Sequence, residues 1–437
     1  MNLSGSAEVT LHPDVTNTTS GPAFPAVLLS FGDTVVYGGA VYDDENWEFG
    51  GVTLQAFDIS IGTPVRTDRK TREMNSIEGA YPAFDDLMAV KLDESRGLIT
   101  WGKGVFTPVW AMVFQVDAGV ITFGMPVSIC LGQITPANPA QVQNVDGVLR
   151  VNSGWQSALT ARPDGRGTYF SVFSDYYVPG NFSLYQDRVA AVDIVTSALE
   201  VTGSTWWVLE PGYQGGTYSY SNVAAARTVG NRTFYLSSLR AKPSNDDYAF
   251  LGVVDWDAAT PQMTMKLIEN VAGGPSDLVY GGGMEVAGAH LVFRKGADWV
   301  LQETADLATP VIRVPVEGDA SPTGGASFRA LDQSSSTDEW LGTWWDETSG
   351  VRSVAKYHYV DGIIARTDSS PFSEVPPQDN SVFDWVTAVF AGQSVLVLTD
   401  FEVLAPPFPF REFLYVYGKG LQEVHLLPAR VMFAPPG

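Results

Sequence analysis

Residue types that commonly perform catalysis are sparse and scattered in this chain. His12, His290, His358 and His425 stand far apart in the sequence. No Gly-x-Ser-x-Gly elbow presents a serine nucleophile to any of them. The one cysteine, Cys130, sits inside the apolar run VSICLG, so neither an intrachain disulfide nor a cysteine-rich metal site can form. The run GGGMEVAG (281–288) is a glycine turn without the spacing of a dinucleotide fingerprint, and no Walker sequence occurs. Asp43-Asp44-Glu45-Asn46 places hard oxygens in a turn, without the alternating carboxylates of a loop that wraps Ca²⁺. No catalytic residue, metal or cofactor is assigned from the sequence.

Two further kinds of chemistry remain. Glycoside hydrolysis needs only two carboxyl groups about 5–10 Å apart. The chain has 49 Asp and Glu residues, yet the S-x-D-x-G-x-x-W boxes of sialidases are absent, and TDEWLGTWW (337–345) has the composition without the spacing. Recognition by aromatic rings is better represented. Tyr42 and Trp47 flank the acidic turn, and Tyr176, Tyr177, Tyr218, Trp344 and Trp345 fall at or beside predicted turns. Such rings suit sugar faces and protein interfaces, so these seven residues are the candidates for ligand or receptor contact. The stretch RTDRKTREMNSIE (66–78) is the strongly basic one. It is expected to be an exposed loop whose Arg66, Arg69, Lys70 and Arg72 dock an acidic partner.

The elements that position these residues are strands. Residues 113–127, VFQVDAGVITFGMPV, alternate apolar and polar, turn through Asp-Ala-Gly and alternate again, which is the pattern of a β-hairpin. Variants recur at 54–65, 188–202, 251–268, 353–367 and 412–427. Each is preceded by a stretch rich in small residues and by a second strand ending near Asp or Gly, as in FPAVLLSFGDTVVYGG (24–39) and SNVAAARTVGNRTFYLSSL (221–239). This four-strand grammar occurs in seven units, and it predicts an all-β chain folded as a β-propeller. Small residues fit where the sheets crowd at the centre, and larger ones fill the space between blades. Residues 87–105 read as an additional hairpin, which leaves eight blades open. Tandem β-sandwich domains are the alternative fold. Residues 1–20 are expected to be an N-terminal arm or a ring-closing strand, and residues 21–437 a single propeller domain.

Composition agrees with strands and tight turns: 437 residues include 43 Gly and 27 Pro, and only 17% are charged. A net charge of −23 argues against a nucleic-acid partner. No apolar window reaches the roughly 18–20 residues of a membrane span, so no membrane insertion is expected. The opening MNLSGSAEVTLHPDV lacks the basic and apolar regions of a secretory signal peptide.

The hairpin wording of 113–127, with GLITWGKGV just before it, resembles repeats of tail and fibre proteins of tailed bacteriophages. The resemblance covers chiefly residues 87–129, with echoes at 188–204 and 353–367. It implies a non-enzymatic structural protein of a virion, a propeller on the tail or capsid surface. It would contact other virion proteins within a larger assembly, and a host-surface glycan or protein through exposed aromatic residues. A carbohydrate-active hydrolase or lyase on a propeller scaffold, and an intracellular propeller scaffold, are the alternatives.

Overall fold

The structure is a computed structural model. It describes residues 27–43, 48–60, 65–74, 87–102, 109–129, 133–134, 157–175, 186–209, 217–242, 246–257, 261–271, 284–295, 298–315, 339–346, 351–360, 363–371, 381–391, 394–403, 410–418 and 423–432. The described residues form seven sheets, and their strands contain no α-helix. The first sheet runs Val27–Phe31, Thr34–Asp43, Glu48–Asp58, Val65–Glu73. The second has Met88–Lys91, Arg96–Gly102, Val109–Asp117 and Val120–Phe123, with Val127–Ser128 also paired to the third of these strands. The third has Ala158–Ala161, Gly167–Asp175, Gln186–Ser197 and Glu200–Leu209, and Gln133–Ile134 adds in parallel to its outer edge. The fourth has Thr217–Val229, Arg232–Lys242, Asp247–Asp255 and Gln262–Val271. The fifth has Met284–Ala287, His290–Lys295, Asp298–Glu303 and Ile312–Pro315. The sixth has Glu339–Asp346, Val351–Val360 and Ile363–Pro371, and the seventh Ser381–Ala391, Ser394–Val403, Phe410–Gly418 and Glu423–Met432.

These segments become strands because both of their faces are covered. In the second sheet Leu98, Ala111 and Val113 join a core with Leu159, Tyr169, Ala190 and Val192 of the third. Their chain neighbours Ile99, Met112 and Phe114 point the other way, into a core with Val36, Val52 and Leu54 of the first. Alternate residues leave opposite faces of a strand, so a strand between two neighbours reads as a nearly continuous apolar run. Further cores join the third sheet to the fourth through Phe170 and Tyr235, whose rings stack at 5.0 Å. The fourth joins the fifth through Phe234, Leu251 and Phe293. The fifth joins the sixth through Trp299, Trp340 and Tyr357. Each buried large side chain contributes about 1.5–3 kcal/mol of transfer free energy.

The first described strand of each sheet neighbours that of the next, and Val27–Phe31 neighbours Ser381–Ala391, which closes the ring. The fold is a β-propeller. Every four-stranded sheet is built from one continuous stretch of chain, including the first and the seventh. Residues 1–20 lie outside the described residues.

Two expectations need correction. Residues 87–105 do not add a separate hairpin: they supply the first two strands of the second sheet, whose ladder continues directly into Val109–Asp117. The basic stretch is not a loop. Val65–Glu73 is the outermost strand of the first sheet, hydrogen-bonded along Glu48–Asp58. Its outer position leaves most of it in solvent, so it lacks the apolar alternation by which a strand is recognised.

Local chemistry sets the hairpins and the spacing between strands. The turn of the second sheet's outer hairpin has Ala118 at φ 48° and Gly119 at φ 78°, the left-handed pair required by a two-residue I′ turn. In the fourth sheet Gly252 stands opposite Tyr235, and a Cβ at this position would overlap the tyrosine ring. Gly252→Ala is expected to cost about 1–3 kcal/mol by overpacking. Ala118→Asn is expected to add about 0.5–1 kcal/mol by relieving the left-handed strain. Denaturant titration of both variants checks the opposite signs.

Candidate functional face

Antiparallel order sends the turns within each sheet to two opposite ends. At one end lie the turns between first and second strands and between third and fourth. This end is tied together across sheets by polar contacts. Thr67 Oγ1 of the first sheet donates to Gly119 O of the second at 2.8 Å, and Asp68 Oδ2 accepts from the Ile121 N–H at 2.8 Å. Arg96 Nη1 donates to Ala198 O of the third at 3.3 Å. Arg232 Nη1 of the fourth donates to Ala305 O of the fifth at 3.0 Å. The His290 ring meets Tyr359 of the sixth edge-on at 5.2 Å.

The densest polar group at this end is in the third sheet. Arg162 Nη1 donates to Asp193 Oδ1 at 2.9 Å and its Nη2 to Asp164 Oδ2 at 2.7 Å, while Arg166 Nη1 donates to Asp193 Oδ2 at 2.8 Å. The Arg162 guanidinium lies 4.4 Å from the Trp256 ring centre of the fourth sheet. Burial pushes the Asp193 carboxyl above its ordinary value, against the opposing pull of Arg162 and Arg166. Glu285, on the first strand of the fifth sheet, is likewise buried and accepts from Arg227 Nε at 2.8 Å. These carboxylates already accept from guanidinium groups, and the inter-sheet links run through Arg162 against Trp256 and through Arg227 to Glu285.

The opposite end is formed where second strands finish and third strands begin. The residue pairs that close the ladders there are Asp43 with Glu48, Asp175 with Gln186, Arg240 with Asp247, Lys295 with Asp298, Asp346 with Val351, and Glu402 with Phe410. A carboxylate residue therefore stands at the closing pair in every sheet except the second, which closes with Gly102 and Val109. Basic residues share two of these pairs, Arg240 and Lys295.

The aromatic candidates follow the same topology. Tyr42 is at the finishing end of its second strand, Trp344 and Trp345 near the finish of Glu339–Asp346, and Tyr218 at the start of Thr217–Val229. All four backbone positions are at the end of the sheets that bears the carboxylate residues. Trp47, Tyr176 and Tyr177 lie outside the described residues, as do Asp44, Glu45, Asn46 and Cys130. Among the described residues the histidines do not join this group, and His12 lies outside the described residues. His290 packs at the other end, His358 pairs in register with Glu339, and His425 is in the outermost strand of the seventh sheet. Among the described residues, acid–base chemistry at the aromatic end falls to carboxylates, tyrosines and the basic pair. The sequence carried one sign of this arrangement, the second strand ending near Asp, but only the register collects those residues at one end.

No protein-family profile and no curated protein matches the chain. Among solved structures it is similar to the polysaccharide lyase Uly1, at 9% identity and a TM-score of 0.56, over 94% of this chain and 94% of that one. It is also similar to the β-propeller domain of the Trilobed protease from Pyrococcus furiosus, at 10% identity and a TM-score of 0.41, over 92% of this chain and 98% of that one. A third similarity is to a post-proline cleaving enzyme from Rickettsia typhi, at 11% identity and a TM-score of 0.45, over 91% of this chain. The chain spans 52% of that enzyme's length. At such identities the likeness concerns the fold.

These findings overturn the reading of a non-enzymatic virion structural protein. The structure that the chain resembles over nearly the whole length of both, at a TM-score of 0.56, is a polysaccharide lyase and not a virion protein. The hairpin wording that suggested a virion is the third and fourth strands of a propeller sheet with their I′ turn. Such a hairpin belongs to the architecture and carries no activity of its own. The alternative of a carbohydrate-active hydrolase or lyase agrees better with these findings.

The clamped end makes its own prediction. Asp93 Oδ1 accepts the N–H groups of Ser95 and Arg96, each at 2.9 Å, and its Oδ2 accepts Arg96 Nε at 2.6 Å. Burial pushes this carboxyl up, but the Ser95 and Arg96 hydrogen bonds and the Arg96 charge outweigh it and hold the carboxyl below its ordinary value. A lowered folded-state pKa gives stability that is present above the unfolded value and lost as pH falls through the folded one. Asp93→Ala is expected to cost about 1 kcal/mol at neutral pH. Its deficit against the parent should close as pH drops below about 3.9, the ordinary aspartate value. Urea titrations at neutral and acid pH measure that closing.

Proposed function

We propose that this chain is a carbohydrate-active enzyme, a hydrolase or a lyase, acting at the propeller end where second strands meet third strands. The observation that carries the reading is the carboxylate residue at the closing pair of every described sheet but the second, on the same end as Tyr42, Tyr218, Trp344 and Trp345. Hydrolysis of a glycoside uses one carboxyl as acid and another as base or nucleophile. Elimination uses a base to take a proton beside a sugar carboxylate and a cation or hydrogen-bond donor to stabilise the charge that develops. Carboxylate, tyrosine and basic residues for either reaction are present at this end, and aromatic rings offer flat apolar faces to sugars. The structural likeness to the polysaccharide lyase Uly1 over nearly all of both chains supports the same reading.

Incubation of the purified chain with neutral and acidic polysaccharides tests it. New reducing ends alone would establish hydrolysis. New reducing ends together with the ultraviolet absorbance of an unsaturated sugar would establish elimination. Intact polymers across the panel, under conditions where the protein stays folded, would refute an enzymatic role on carbohydrate.

A further inference from the structure

The outermost strand of the first sheet, Val65–Glu73, is chemically unlike the rest of the molecule. Nine residues, VRTDRKTRE, hold Arg66, Arg69, Lys70 and Arg72 within a chain whose net charge is −23. The strand is held rigidly. It pairs with Glu48–Asp58, and the contacts of Thr67 and Asp68 with Gly119 and Ile121 pin it to the second sheet. The register puts Lys70 and Arg72 opposite Leu54 and Val52, on the sheet face toward the second sheet, with Arg66 and Arg69 opposite Phe57 and Gln55 on the other face. Lys70 is exposed and Arg72 partly so, and among the described residues neither forms an ion pair with a carboxylate. Among the described residues, the side-chain contact of Arg72 is with the Met125 sulfur, at 4.0 Å.

From this we infer that the strand is a guide rail for an acidic polysaccharide, one bearing carboxylate or sulfate groups. The inference rests on the carbohydrate reading above and names the class of polymer. Alternate cations on a strand recur about every 7 Å, which presents a line of positive charge to a linear anion. The rail also has a direction. A fourth strand finishes at the same end of its sheet as the second, so Arg72 lies toward the end that carries the carboxylate and aromatic residues. A compact acidic partner, including a second copy of this chain, would bring its charge against the remaining acidic surface. A thin polymer touches the rail alone, and charges beyond about 8 Å are largely screened at physiological salt. Nucleic acid is also a linear anion, but the strand has no aromatic residue on which bases could stack.

Equilibrium binding to a polyuronate or a sulfated glycan, measured at several salt concentrations, tests the rail. The parent should bind the acidic polymer in a salt-dependent way. Lys70→Glu/Arg72→Glu should weaken that binding about tenfold or more, from two lost contacts and two new repulsions. Arg313→Glu, an exposed position on the outermost strand of the fifth sheet, should bind as the parent does. Circular dichroism and thermal melting confirm that each variant is folded. Parent-like binding by the folded double variant would overturn the rail, as would absence of binding by the parent. Duplex DNA binding as tightly as the acidic glycan, with equal sensitivity to the double variant, would overturn the polysaccharide assignment. Cleavage of short oligosaccharides, both neutral and uronate-containing, is assayed separately. Salt-dependent binding lost in the double variant, with no cleavage by any form, would uphold the rail while refuting the enzymatic reading.

Discussion

The contact between neighbouring sheets is the constraint on which the rest of this structure depends. A four-stranded sheet alone would leave both of its apolar faces in water, and here the facing sides of the first through sixth sheets are buried against one another. Leu98 and Ile99 show the consequence within two residues, one directed to the third sheet and the other to the first. With Cys130 as the lone cysteine, no intrachain disulfide supports the ring. At the closure Val27–Phe31 and Ser381–Ala391 lie side by side without exchanging a strand among the described residues.

Burial at the centre forces a division of labour between the two ends. At the end of the short turns, arginine side chains cross from one sheet to the next and donate to backbone carbonyls or a buried carboxylate, as Arg96, Arg227 and Arg232 do, while Arg162 pairs with Asp193 of its own sheet and lies against Trp256 of the fourth. These contacts fix the sheets relative to one another. The other end collects carboxylate and aromatic residues at the finishes of strands. A rigid clamped end supporting a chemically varied one is a reasonable basis for a site, because functional side chains need positions that do not drift.

The basic outer strand fits this division. Its inward requirements are met by Thr67 and Asp68, which secure it to the second sheet, and the remaining cations line the perimeter. The same outer position is the reason its sequence reads as a loop. A strand with little apolar burial shows none of the periodicity by which strands are found in a sequence.

The fold class was legible because its physics is local and repeated. Alternation of apolar residues, turn residues such as Asp-Ala-Gly, and small residues in the first strands all point to four-stranded units without any knowledge of their arrangement. The hairpins at 113–127 and 188–202 could be read directly for that reason. Which chemistry the units support was not legible. The virion resemblance rested on the wording of one hairpin, which is an element of architecture and carries no activity. The carboxylate residues Asp43, Asp175, Asp247, Asp298, Asp346 and Glu402 are far apart in the sequence and share no motif. Only antiparallel register and ring closure bring them to one end. By itself the sequence determined the strands and their repeat, because alternation and turn chemistry act over a few residues. The tertiary structure decided which residues share an end, because that depends on pairings between segments distant in the chain.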